Sequence, residues 1–150
     1  MRYESHSEEE TKKIAAEFAR DLHEGDVIFL SGELGSGKTT FVRGVAEAYG
    51  FHEPVRSPSF TIVNRYPVEH ATVKQILHVD FYRIDDPSEI PPLALEEELG
   101  RPDTVAFIEW PEKAPGLFIA TYQVACQTGD THTFTITPLL PQHAGSRRSL

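Results

Sequence analysis

Positive charge is scarce in this sequence: 14 Lys and Arg stand against 23 Asp and Glu, a formal net charge of -9 over 150 residues. An acidic chain is poorly suited to gripping a phosphate backbone over a broad face. If it serves a nucleic acid, another subunit is expected to do the holding. Cysteine is nearly absent as well. Cys126 stands alone, so no internal disulfide can form. Its neighbours Thr121, Tyr122 and Val124 read as a strand, which makes it a small buried core residue rather than a reactive thiol. No apolar run approaches the length of a membrane span. Residues 1–10 are polar and acidic, unlike a signal or transit peptide. The expectation is a cytoplasmic protein with no membrane contact. The seven histidines do not fall at metal-ligand spacing.

The length suits one domain with a hydrophobic core that needs no staple. Ser7-Glu8-Glu9-Glu10 is a capping-box pattern, with Ser7 as N-cap and Glu10 three residues on. Ile14, Ala15, Phe18, Ala19 and Leu22 follow at helical spacing, and Gly25 is expected to end that helix. Val27-Ile28-Phe29-Leu30 is a continuous apolar run, as in a strand buried on both faces. A second helix is expected from Lys38 to Tyr49, stopped by Gly50. Further strands are expected over 60–66, 73–80 and 105–108, with a turn at Glu69-His70-Ala71. The segment 88–99 reads as helical in its second half, because Pro91-Pro92 forbids a smooth start. Gly129-Asp130 between two apolar-alternating segments is a hairpin signal. The order predicts an α/β fold: a three-layer P-loop NTPase-like sheet, its centre parallel, with antiparallel additions. Residues 1–140 are expected to form one P-loop domain, and the polar tail 141–150 to fray.

The chemistry concentrates in Gly32-Glu33-Leu34-Gly35-Ser36-Gly37-Lys38-Thr39, a complete G-x-x-x-x-G-K-[ST] motif between a buried strand and a helix start. In such a loop the backbone N–H groups turn inward on phosphate, and Gly35 and Gly37 admit the backbone without a Cβ clash. The helix N-terminus adds its positive dipole end. Lys38 is expected on the β- and γ-phosphates of ATP, the Thr39 hydroxyl on Mg2+, and Thr40 on the α-phosphate. Gly35-Ser36-Gly37 is not a dinucleotide fingerprint, because the third glycine is missing.

Two carboxylates end apolar strands. Glu109 follows Val105-Ala106-Phe107-Ile108, and Asp80 follows Ile76-Leu77-His78-Val79. A metal-associated carboxylate in a P-loop protein belongs at such a strand end. One of the pair would hold Mg2+ while the other orients the attacking water, and the residues leave the assignment open. Trp110, the only tryptophan, follows Glu109 and serves either as a structural anchor or beside the nucleotide. Ser57-Pro58-Ser59-Phe60-Thr61 is a hydroxyl-rich, Pro-broken loop of the kind that senses a γ-phosphate. His78 and Asp80 share one strand face, an arrangement that is more often structural than ligating.

Four segments taken together resemble the TsaE family: Gly32 to Phe41, Ser57-Pro58-Ser59-Phe60-Thr61, His78-Val79-Asp80-Phe81-Tyr82-Arg83, and Ile108-Glu109-Trp110-Pro111-Glu112. The resemblance covers about residues 8–137. It implies an ATPase of tRNA threonylcarbamoyladenosine synthesis that acts with TsaD and TsaB and meets tRNA through them. Carried over by position, the resemblance makes Lys38 and Thr39 the phosphate and Mg2+ residues and Glu109 the metal-side carboxylate. Asp80 becomes a functional Asp, Trp110 the ring near the nucleotide, and Thr61 the end of the switch-like loop containing Ser57 and Ser59. Phe81 stands where the family more often has Leu, and Pro91-Pro92 interrupts a usually continuous helix start.

A small-molecule kinase using the same loop is the alternative. It needs an acceptor pocket and a cationic lid. Arg43, Arg56, Arg65, Arg83 and Arg101 are scattered instead. Arg83 is a candidate for γ-phosphate sensing. A GTP switch is disfavoured, because Asn64-Arg65-Tyr66-Pro67 does not supply an N-K-x-D guanine signature.

Overall fold

A computed structural model describes residues 1–33, 35–53, 62–86, 95–99, 101–114, 116 and 119–139. The first helix, α1 (Glu8–Asp21), begins as its capping box predicts. The Ser7 hydroxyl accepts from the Glu10 N–H at 3.1 Å. The Glu10 carboxylate returns one residue further than the box requires, accepting from the His6 N–H at 3.0 Å. The helix stops at Asp21 on an extended Leu22, earlier than the sequence suggested. Gly25 (φ 87°) instead makes the turn into the next strand, its N–H bonded to Thr104 O at 2.9 Å. Helix α2 (Lys38–Ala48) starts at Gly37 and closes at Tyr49, with Gly50 in the left-handed region as expected.

The strands are β1 (Arg2–Ser5), β2 (Val27–Ser31), β3 (Val63–Pro67), β4 (Gln75–Asp80), β5 (Thr104–Glu109), β6 (Tyr122–Gln127) and β7 (His132–Pro138). They form one sheet in the order β1-β7-β6-β2-β5-β4-β3. The four central strands are parallel, and β3, β7 and β1 add antiparallel edges. Strand β1 escaped the sequence reading. Arg2-Tyr3-Glu4-Ser5 has no apolar alternation, because an edge strand paired only to β7 buries little.

Alternation sends each strand's side chains into two cores. On one face Ile28, Leu30, Val105, Phe107, Val124 and Phe134 pack against α1 and α2. Gly44 makes the helix pair close. A Cβ there would lie 2.7 Å from Ala15 Cβ and 2.9 Å from Lys12 Cα. On the other face Val27, Leu77, Val79, Ala106 and Ile108 pack against Phe81, Ile84, Ala114 and the short helix α3 (Leu95–Leu99) through Leu95. The result is the three-layer α/β arrangement expected, with a parallel centre. Cys126 is buried, and desolvation raises its thiol pKa to about 12, as suits an inert core residue. The Pro91-Pro92 interruption and the tail 141–150 lie outside the described residues.

Candidate functional site

The carboxyl ends of β2, β4 and β5 lie side by side, where open α/β sheets place their ligands. Strand β2 runs into the Gly-rich loop. Gly32 (φ 145°) is required twice over: its backbone is in a glycine region, and a Cβ would sit 2.5 Å from Cys126 O and 2.6 Å from Ser36 Oγ. The Ser36 N–H closes a turn onto Glu33 O at 3.0 Å. Gly35 (φ 81°) has no described residue within 4 Å of its would-be Cβ. Gly37 (φ 99°) serves the interior instead, since a Cβ would meet the Phe134 ring at 3.1 Å and His132 Nδ1 at 3.2 Å.

Lys38, the first residue of α2, folds back over the loop. Its Nζ donates to Gly32 O at 2.6 Å and pairs with Glu109 Oε1 at 2.9 Å. The other oxygen of Glu109, Oε2, lies 2.6 Å from His78 Nε2. Both His78 and Glu109 are buried. Burial opposes ionisation of Glu109, but hydrogen bonds and electrostatic attraction from His78 and Lys38 outweigh it and hold the carboxyl below its ordinary range.

Asp80 is shifted in the opposite sense. Burial raises its pKa, the Tyr82 N–H bonded to Oδ1 at 2.8 Å pulls it back in part, and the charge of Glu109 pushes it up. Strand register sets Asp80 directly beside Glu109. Backbone bonds fix the pair: Asp80 N–H to Ile62 O at 2.8 Å and Phe81 N–H to Glu109 O at 3.1 Å. Among the described residues, the non-glycine positive φ angles are those of Ile62 (68°) and Trp110 (58°). They flank these two carboxylates. Such strain costs on the order of 1–3 kcal/mol per residue and gathers where a site over-determines its backbone.

A cleft of about 890 Å3 opens over this edge. Gly32, Glu33, Gly35, Gly37, Lys38, Thr39 and Thr40 line its floor, with Asp80, Glu109, Trp110 and Arg83 at one end. Trp110 is 40% exposed, its ring centroid 5.3 Å from that of Tyr82, with Lys113 Nζ 5.7 Å from the Trp110 ring centroid. The structure therefore brings together Glu33, Gly35, Gly37, Lys38, Thr39, Thr40, Asp80, Arg83, Glu109 and Trp110. Ser36 sits in the loop but is buried, and its Oγ has no partner among the described residues. Leu34, Ser57, Ser59 and Thr61 lie outside the described residues. The opposite end of the cleft was not anticipated. The start of α1, through Ser7 and Thr11, meets the β6–β7 hairpin at Asp130 to His132. Strand β1 brings them together, and nothing in its four residues signals that. The contact of His78 with Glu109 is not signalled by sequence, which shows only the strand face that His78 shares with Asp80.

The family model described as "Threonylcarbamoyl adenosine biosynthesis protein TsaE" matches residues 5–136, which contain every residue named in the lining of this cleft. The chain belongs to the TsaE family. The tRNA threonylcarbamoyladenosine biosynthesis protein TsaE of Aquifex aeolicus is 39% identical over 109 residues, 71% of this chain and 74% of that one. The TsaE of Rickettsia bellii is 40% identical over 107 residues, 71% of each chain. The TsaE of Bacillus subtilis is 40% identical over 110 residues, 73% of this chain and 66% of that one. The crystal structure of Bacillus subtilis YdiB superposes with a TM-score of 0.74 at 27% identity, over 99% of this chain and 95% of that one. The family's place is in tRNA threonylcarbamoyladenosine biosynthesis.

Proposed function

We propose that this TsaE-family chain binds and hydrolyses ATP with Mg2+, and that it does so in the cytoplasm in support of TsaD and TsaB during tRNA threonylcarbamoyladenosine modification. One observation carries the reading. A Gly-rich loop, a helix N-terminus, Lys38, Thr39 and two strand-end carboxylates converge on one cleft.

The donors suit magnesium. Thr39 and Glu109, with Asp80 beside them, offer only hard oxygen atoms, and they are too few for an all-protein cage. Mg2+ usually completes its shell with waters and substrate phosphates. When bound, it would neutralise charge developing on the phosphates. Lys38 then exchanges Glu109 and Gly32 O for phosphate oxygens, which leaves Glu109 ionised and free to face the metal. Asp80, whose pKa lies above the ordinary range, is suited to orient and accept a proton from the attacking water. Trp110 on the rim reports on occupancy, and Arg83 is the candidate sensor of the γ-phosphate.

Hydrolysis measured alone and with a TsaD–TsaB pair tests this. Slow basal turnover, strong stimulation by the pair and loss of both in Lys38→Ala are expected. ATP binding without stimulation by an active pair would remove the pathway partners and favour the kinase alternative. Absence of ATP binding would remove the nucleotide reading itself.

A further inference from the structure

We infer that His78 is a positioning residue, holding Glu109 Oε2 so that Oε1 stays turned toward Lys38 and the cleft. The inference rests on the ATPase reading for its consequence, but its geometry is independent of it. A carboxylate only accepts, so the 2.6 Å contact requires that His78 Nε2 carries the proton and donates. Among the described residues Glu109 thus has one partner per oxygen: His78 from β4 on Oε2, and Lys38 from α2 on Oε1 at 2.9 Å.

His78 is fully buried and lies two residues before Asp80 on the same strand face. Asp80 is the register partner of Glu109, so the imidazole approaches the carboxylate diagonally across two parallel strands. Among the described residues its Nδ1 has no hydrogen-bond partner. The bond to Glu109 is the one that compensates for burying this ring. A core position chosen for stability alone would be better filled by an apolar side chain.

The two partners of Glu109 differ in what nucleotide does to them. Lys38 is drawn off to phosphate. His78 cannot follow, because the surrounding core holds it. When Lys38 leaves, His78 alone prevents the carboxylate from rotating and presenting the wrong oxygen. Outer residues that orient a ligating carboxylate in this way typically matter by about 10- to 100-fold in metal affinity or activity.

The test uses the full chain and three forms: wild type, His78→Leu and His78→Gln. The Gln amide nitrogen reaches the place of Nε2 and restores the donor. ADP affinity is measured by calorimetry with Mg2+ and again with EDTA, alongside turnover and the melting temperature of the nucleotide-free protein. Positioning predicts that His78→Leu leaves ADP affinity in EDTA unchanged, loses about 10- to 100-fold of the Mg2+-dependent affinity and of kcat, and that His78→Gln recovers most of both. Equal weakening with and without Mg2+, or a His78→Gln variant as defective as His78→Leu, would mean a merely structural histidine and overturn the inference. So would a His78→Leu variant that behaves as wild type. Should His78→Leu fail to fold, His78→Asn, whose amide falls short of Glu109, takes its place with the same expectations. A wild-type chain that binds no nucleotide would bring down the ATPase reading and this inference together; normal wild-type binding with an unaffected variant brings down the inference alone.

Discussion

Two carboxylates in this chain are each held below their ordinary pKa by basic side chains from other elements, and the surroundings make them different devices. Glu109, buried at the end of β5, pairs with Lys38 and His78 inside the cleft. Glu98, on α3, makes a two-pronged contact with Arg65 on edge strand β3, Nε to Oε2 at 2.8 Å and Nη2 to Oε1 at 2.5 Å. The Arg65 side chain is 48% exposed. Water screens the surface pair, and such pairs contribute about 0–1 kcal/mol. The buried group pays heavily for desolvation, so removing one partner strands a charge. The contrast teaches that similar ion-pair geometry marks a fastener in one place and a poised chemical group in the other.

The largest expected effect is at the buried end. Lys38→Ala should weaken ATP binding by about 2–5 kcal/mol in calorimetry, as for truncation of a buried hydrogen-bonded charge pair. Unchanged affinity would make Glu109–Lys38 a fastener like Glu98–Arg65 and dissolve the comparison. Next come Glu109→Gln and Asp80→Asn. Turnover should fall by about 10²-fold or more in each, with smaller losses in nucleotide affinity. Normal hydrolysis in both variants would take the two carboxylates out of the chemistry.

Arg65→Ala should lower stability by no more than about 1 kcal/mol in urea titration, and the difference should shrink in high salt. A larger loss would mean that α3 depends on this pair. The smallest effect is with pH. Glu98 has a lowered folded-state pKa, chiefly through the hydrogen bond from Arg65 against the cost of burial. Its contribution is therefore present above the ordinary carboxylate range and is lost as pH falls through the depressed value. Wild type and Arg65→Ala should converge in melting temperature on acidification. A gap that persists at low pH would show that the pair acts by packing rather than charge.

Much of the molecule was legible because it is local. The Ser7 cap, the apolar stripe of α1, the continuous apolar strands and the loop with its lysine all depend on neighbours within a few residues. The misses have a common cause. Strand β1 has no apolar pattern, and its existence depends on the free edge of β7. Helix α1 ends at Asp21, while Gly25 is taken up by a long-range bond, its N–H to Thr104 O at 2.9 Å. Gly37 read as a phosphate glycine, yet the space its missing Cβ leaves is bounded by Phe134 and His132, about a hundred residues away in sequence. His78 could be placed on the face of Asp80 by period-two alternation, but not against Glu109.

From its own residues, then, the chain determined its element types, its loop chemistry and the family resemblance of its motifs. These rest on backbone propensity, hydrophobic period and short-range hydrogen bonding. Strand order was a tertiary decision, and with it the side-by-side placement of Asp80 and Glu109. So were the burial that shifts their pKa values in opposite directions, the histidine behind Glu109 and the second wall of the cleft. Those properties depend on which distant groups share a volume from which water is excluded, and no spacing along one chain segment encodes that.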